Sequence, residues 1–125
     1  MTHILVVDDE TDIQPLFEQR FRREIRSGAL QFTFANSGEQ ALALLGEGQL
    51  EAVLILSDIN MPGMSGLELL QHIRRKSPHR PPTIMMITAY GDEENHRQAI
   101  ALGADDFLTK PLDFNELKTK LTDLP

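Results

Sequence analysis

The stretch Ile4-Leu-Val-Val-Asp-Asp-Glu10 joins four consecutive aliphatic residues to three consecutive acids. A short, nearly continuous aliphatic run suits a strand buried on both faces, as in a parallel sheet. Val53–Leu56 and Ile84–Ile87 repeat the pattern. Gln31–Ala35 alternates instead, with Phe32 and Phe34 on one face, as expected of a strand nearer an edge, and Asp106–Thr109 is a shorter fifth strand. Helical segments fill the intervals. Ile13, Leu16, Phe17, Phe21 and Ile25 trace one stripe of a single long first helix. Ser37–Gln40, Ser65–Glu68 and Asp113–Glu116 each carry a capping-box pattern ahead of leucine-rich sequence, and Gly103 is placed to stop a helix after Leu102. The helix over Asp92–Leu102 is the least apolar, so it is expected to be among the less stable elements. Strand and helix thus alternate five times, predicting a doubly wound α/β sheet with five parallel strands, five helices and right-handed crossovers.

The length of 125 residues suits one domain over 1–125, with a radius of gyration of about 14 Å. No cysteine is present, which excludes a disulfide scaffold, a Cys-ligated metal and thiol catalysis. The formal net charge of -7 argues against direct nucleic-acid binding, whose affinity rests on phosphate neutralisation. The apolar runs are too short to span a bilayer, and acids arrive too early for a secretory signal. A cytoplasmic, non-membrane domain is the expectation.

In open α/β sheets, ligands bind outside the carboxyl ends of the strands. Strand one delivers Asp8 and Asp9 there, strand three Asp58, strand four Thr88 and strand five Lys110. Close carboxylates repel unless a cation sits among them. Oxygen ligands without nearby His or Cys favour Mg²⁺, with Mn²⁺ as a substitute. An aspartate beside such an ion can act as a nucleophile towards phosphorus, with Lys110 as a second positive charge and Thr88 as a hydroxyl donor. Taken singly, these residues say little. Asp8-Asp9-Glu10 alone reads as a solvated acidic turn, and Asp58 alone as a loop residue ahead of the Met-Pro-Gly turn signal. Phe107 reads first as a core aromatic. Arg20, Arg22, Arg23 and Arg26 read as a solvated helix face, and the four histidines show no metal-ligand spacing.

Four strings, in order along the chain, resemble a response-regulator receiver domain: Leu5-Val-Val-Asp-Asp-Glu10, Ser57-Asp-Ile-Asn-Met-Pro-Gly-Met-Ser-Gly66, Ile87-Thr-Ala-Tyr90 and Gly103-Ala-Asp-Asp-Phe-Leu-Thr-Lys-Pro111. The resemblance implies a flavodoxin-like fold of strand order 2-1-3-4-5 and two-component (phosphorelay) signalling. Asp58 would accept a phosphoryl group from a sensor histidine kinase or phosphotransfer protein. Asp8, Asp9, Asp58 and the backbone carbonyl of Asn60 would hold Mg²⁺. Lys110 would contact the phosphoryl group, with a cis bond to Pro111, and Ala89 would leave room beside it. Thr88 and Phe107 would form the switch pair, remodelling the surface of the fourth helix, fifth strand and fifth helix. Phe107 stands where the family more often has Tyr, which keeps the ring and removes a hydroxyl. A downstream effector domain or protein is implied, and a phosphorylation-dependent homodimer is left open.

Other classes fit less well. A haloacid-dehalogenase-like phosphohydrolase needs a second Asp two residues after the nucleophile, where this chain has Asn60. A flavodoxin relative needs a Gly/Ser/Thr-rich phosphate cradle where this chain places two aspartates. A phosphorylation-independent interaction module would not require the intact constellation. The expectation is therefore a phosphoacceptor signalling domain, not an enzyme with turnover.

Overall fold

A computed structural model of the chain describes residues 2–46, 52, 54–76, 82–89 and 91–122. Five strands, β1 (Thr2–Val7), β2 (Leu30–Ala35), β3 (Leu54–Asp58), β4 (Thr83–Thr88) and β5 (Asp106–Thr109), form one sheet in the order β2-β1-β3-β4-β5. All neighbouring pairs are parallel. The aliphatic runs occupy the three central strands, as both-face burial requires. The alternating Phe32/Phe34 strand lies at the edge.

The period of two along each strand splits the core between the two faces of the sheet. Leu5, Val7, Ile55, Ile84 and Met86 face α3 (Gly38–Gly46), α4 (Gly66–Lys76) and α5 (Glu93–Leu102), meeting Ala41, Leu69, Leu70, Ile73 and Ala99. Ile4, Val6, Leu54, Leu56, Met85 and Ile87 face the other way, towards Phe17 on α1 (Ile13–Arg20) and Leu117 on α6 (Phe114–Thr122). The expected caps form. The Ser65 hydroxyl accepts from the Glu68 amide at 3.2 Å while the Glu68 carboxylate accepts from the Ser65 amide at 3.3 Å. Asp113 accepts from the amides of Asn115 and Glu116, and Gly103 ends α5 with φ 102°.

The first helix departs from expectation. It is two helices, α1 and α2 (Arg22–Ser27), so the described residues form six helices rather than five. The break is at Phe21, whose φ of -110° and ψ of 23° leave the helical region. Its ring is fully buried, 5.9 Å from the Phe17 ring and 5.2 Å from the Phe32 ring. The bend lets Phe21 enter the core while the amide bonds Phe21→Phe17 and Ile25→Phe21 are kept, and Ile25 beyond it is 38% exposed. Among the described residues, no helix is long and apolar enough to cross a membrane.

Candidate functional site

The carboxyl ends of β1, β3, β4 and β5 converge on one rim. Register sets the depths. Val7 pairs with Ser57, so Asp8 and Asp58 leave adjacent strands at the same level. Asp58 pairs with Ile87 and Thr88 with Thr109, which places Thr88 and Lys110 one step further out on the next strands. Carboxylate oxygens of Asp8, Asp9 and Asp58 lie within 4.8 Å of one another. Asp8, Asp58 and Thr88 are buried, and Asp9 is exposed at the mouth. Lys110 reaches in from the other side, donating from Nζ to Asp58 Oδ2 at 2.7 Å and standing 3.8 Å from Glu10 Oε1. The Lys110 amide is fixed by the Thr88 carbonyl at 2.9 Å, and the Lys110–Pro111 peptide bond is cis.

The charges are unbalanced. Three carboxylates face one ammonium, with Glu10 at the rim. Burial pushes the Asp8 carboxyl up from its ordinary pKa, and the charges of Asp58 and Glu10 add to this. The Glu10 amide, donating to Asp8 Oδ1 at 2.9 Å, and Lys110 only partly oppose it. Burial alone would lower the pKa of Lys110. The hydrogen bond and charge of Asp58, then the charges of Asp8 and Glu10, outweigh that and raise it. A donor set of hard oxygens with surplus negative charge, and no His or Cys within it, fits a small divalent cation.

Asn60 is exposed beyond Asp58, and its amide donates to Asp58 Oδ1 at 3.4 Å. Ala89 is exposed beside Thr88. Phe107, on β5, is half-buried against the core under α3–α5, and its ring stacks on the His96 imidazole. Tyr90 lies outside the described residues.

Three supporting residues were not legible as such in the sequence. Gly66 opens α4, its amide donates to the Ile59 carbonyl at 2.8 Å, and a Cβ there would press into the backbone of Asp58 and Ile59. Glu10 is a second counter-charge to Lys110. Arg74, on α4, donates to the carbonyls of Gly103 and Pro82 and pairs with Asp105 at 2.6 Å, bracing the loop that leads into β5. Gly66 and Glu10 stand inside the motif strings, which was the one available signal.

Comparison with known proteins agrees with this arrangement. The response regulator protein PilR of Pseudomonas aeruginosa is 39% identical over 117 residues, covering 91% of this chain and 24% of its own. The transcriptional regulatory protein CpxR of Klebsiella pneumoniae is 36% identical, covering 97% of this chain and 48% of its own. The chain thus spans half or less of the length of these relatives. The structure of the Vibrio cholerae chemotaxis protein CheY4 superposes with a TM-score of 0.82 at 27% identity, covering 100% of this chain and 99% of the other. The profile of the family described as "Response regulator receiver domain" matches residues 4–122, which takes in the acidic rim, Asp58, Thr88 and Lys110 together. This chain therefore belongs to the receiver-domain family of two-component response regulators.

Proposed function

We propose that this receiver accepts a phosphoryl group on Asp58 from a phosphohistidine of a sensor histidine kinase or phosphotransfer protein. The observation that carries the reading is the Asp58 carboxylate, buried at the floor of an acidic rim and held at 2.7 Å by Lys110. Asp8, Asp9 and Asp58, with the backbone carbonyl of Asn60, would hold Mg²⁺, or Mn²⁺ in its place. Such an ion, when bound, neutralises charge on the phosphoryl oxygens.

An Asp58 carboxylate oxygen attacks phosphorus in line with the leaving imidazole. The new O–P bond forms as the P–N bond breaks, the bonding pair stays on the imidazole nitrogen, and that nitrogen takes up a proton. Catalysis rests on position and charge. β3 fixes Asp58, and Lys110 keeps its proton at neutral pH and moves from the carboxylate to a phosphoryl oxygen. Exposed Ala89 leaves the approach open, and the hydroxyl of Thr88, which ends β4, donates to the product. When Thr88 turns inward, the Phe107 ring follows into the space it vacates, and the α5–β5–α6 surface changes shape. These two helices are the fourth and fifth of the sequence reading, renumbered by the break at Phe21.

The output passes to an effector domain or protein, in the cytoplasm, by changed contacts or by a phosphorylation-dependent homodimer. The domain does not contact membrane or nucleic acid directly. The test is intact mass after incubation with acetyl phosphate and Mg²⁺. A single phosphoryl gain is expected, lost in Asp58→Asn and on chelation. Gain by the Asp58→Asn protein would overturn the assignment. Failure of wild type to gain mass or to bind beryllofluoride would point to a phosphorylation-independent module.

A further inference from the structure

We infer that His96 is a positioning residue of the switch, holding the Phe107 ring in its outward place until phosphorylation draws it in. The inference rests on the reading of Thr88 and Phe107 as the switch pair. The imidazole of His96, on α5, lies 3.9 Å centroid to centroid from the Phe107 ring at an interplanar angle of 23°. That is a close parallel stack between an exposed helix face and a half-buried strand residue. Phe107 also packs against the core beneath α3–α5, so its ring has two contacts, the core and the His96 imidazole.

His96 has little else to hold it there. Its amide belongs to the first turn of α5, donating to the Asp92 carbonyl at 3.2 Å, and among the described residues its ring has the stack with Phe107 as its ring contact. A contact made in one state and lost in the other biases the equilibrium between them. The stack is present in this structure, and a turn of the ring towards Thr88 would break it. His96 therefore stabilises the resting state and sets how much phosphoryl-site binding energy is needed to throw the switch. Aromatic stacks of this kind are worth about threefold to tenfold in such an equilibrium.

The experiment is a beryllofluoride titration in Mg²⁺, with the Phe107 and His96 ring signals followed by NMR in the whole chain. His96→Ala should lower the half-saturating concentration about threefold. His96→Phe, which keeps a ring against Phe107, should restore the wild-type value. In a Phe107→Leu background, His96→Ala should change nothing, which separates the stack from the higher helix propensity of Ala. An unchanged midpoint in His96→Ala overturns the inference, as does an equal shift in the Phe107→Leu background. If Phe107 signals move on saturation while His96→Ala is silent, the switch reading stands and the role of His96 falls. If the Phe107 ring does not respond at all, both fall together.

Discussion

Replacing Gly66 by alanine isolates the geometry that aims Asp58. A Cβ at position 66 would stand 2.8 Å from Ile59 Cα and 2.9 Å from the Asp58 carbonyl carbon, and closer still to the Asp58 carbonyl oxygen. These are backbone atoms, so no side chain can rotate away. To reach the 3.4 Å of ordinary contact, the start of α4 and the end of β3 must part by about 0.6 Å at Ile59 Cα and by more at the Asp58 carbonyl oxygen. The Gly66 amide bond to the Ile59 carbonyl, 2.8 Å long, is then stretched as well. Overpacking of this kind costs about 2 kcal/mol. For a chain of this size that is a fall in Tm of about 8 °C. Displacement of a reacting carboxylate by a fraction of an ångström should slow phosphoryl uptake from acetyl phosphate by about tenfold to a hundredfold. Gly38→Ala is the control. Its new Cβ would meet the Met64 side chain, at 2.9 Å from Sδ, 3.0 Å from Cγ and 3.1 Å from Cβ, so Met64 must shift, but Asp58 need not, and uptake should stay near wild type. Thermal melts and single-turnover mass spectrometry read both quantities. A Gly66→Ala protein with wild-type Tm and wild-type uptake would refute the claim that the contact positions Asp58.

Four further outcomes follow from the same structure. Asp8→Asn should stabilise the metal-free domain at neutral pH: Asp8–Asp58 repulsion across up to 4.8 Å is about 3 kcal/mol before Lys110 offsets most of it, leaving a gain of about 4 °C. Because the Asp8 pKa is raised on folding, wild type loses stability relative to Asp8→Asn as pH rises from the ordinary value of 3.8 through the higher folded value, and melts at several pH values check the sign. Excess Mg²⁺ should raise the Tm of wild type and not of Asp8→Asn, and equal metal stabilisation would count against the carboxylate site. Arg74→Ala should cost about 2 kcal/mol, since its 15% exposed side chain serves two carbonyls and Asp105. Arg97→Ala, from a pair exposed at 74% and 66%, should cost within ~0.5 kcal/mol, and comparable denaturation midpoints for the two would sink the distinction. Hydrogen exchange should find α5, which buries only Ala99, less protected than β1 and β3, and equal protection would contradict that.

The strands were legible because burial on both faces leaves an unbroken aliphatic signature, and the helix starts because Ser65 with Glu68, and Asp113 with Glu116, act within one turn. The acidic rim was legible too, since the carboxyl end of a parallel strand is a fixed address. The break at Phe21 was not. The stripe from Ile13 to Ile25 keeps helical spacing straight through it, and the bend comes from packing against Phe17, Phe32 and Phe114, which no local pattern encodes. Arg74, beside Arg75 and Lys76 near a helix end, has in the sequence only the pattern of cations that suit a helix dipole. Its reach to Gly103, 29 residues on, depends on how two helices pack. His96 carried no signal at all, because its partner Phe107 belongs to another element and only the packed fold makes them neighbours.

The Arg74 clamp has a mechanical consequence. Gly103, whose carbonyl it grips, is the C-cap of α5, so that end of the helix is fastened to α4. The other end is capped by its own Asp92, which accepts from Asn95, and is tied to β5 by the stack of His96 on Phe107. Once that stack is broken, a rod of ten residues, about 15 Å long and held at one tip, works as a lever whose fulcrum is Gly103. A tilt of about 10° barely stirs the anchored tip yet swings the Glu93 end by roughly 2.5 Å. The sweep should therefore be widest at the Glu93–His96 turn and vanish towards Leu102, so a ligand sensing the phosphorylated state reads most contrast at the far tip.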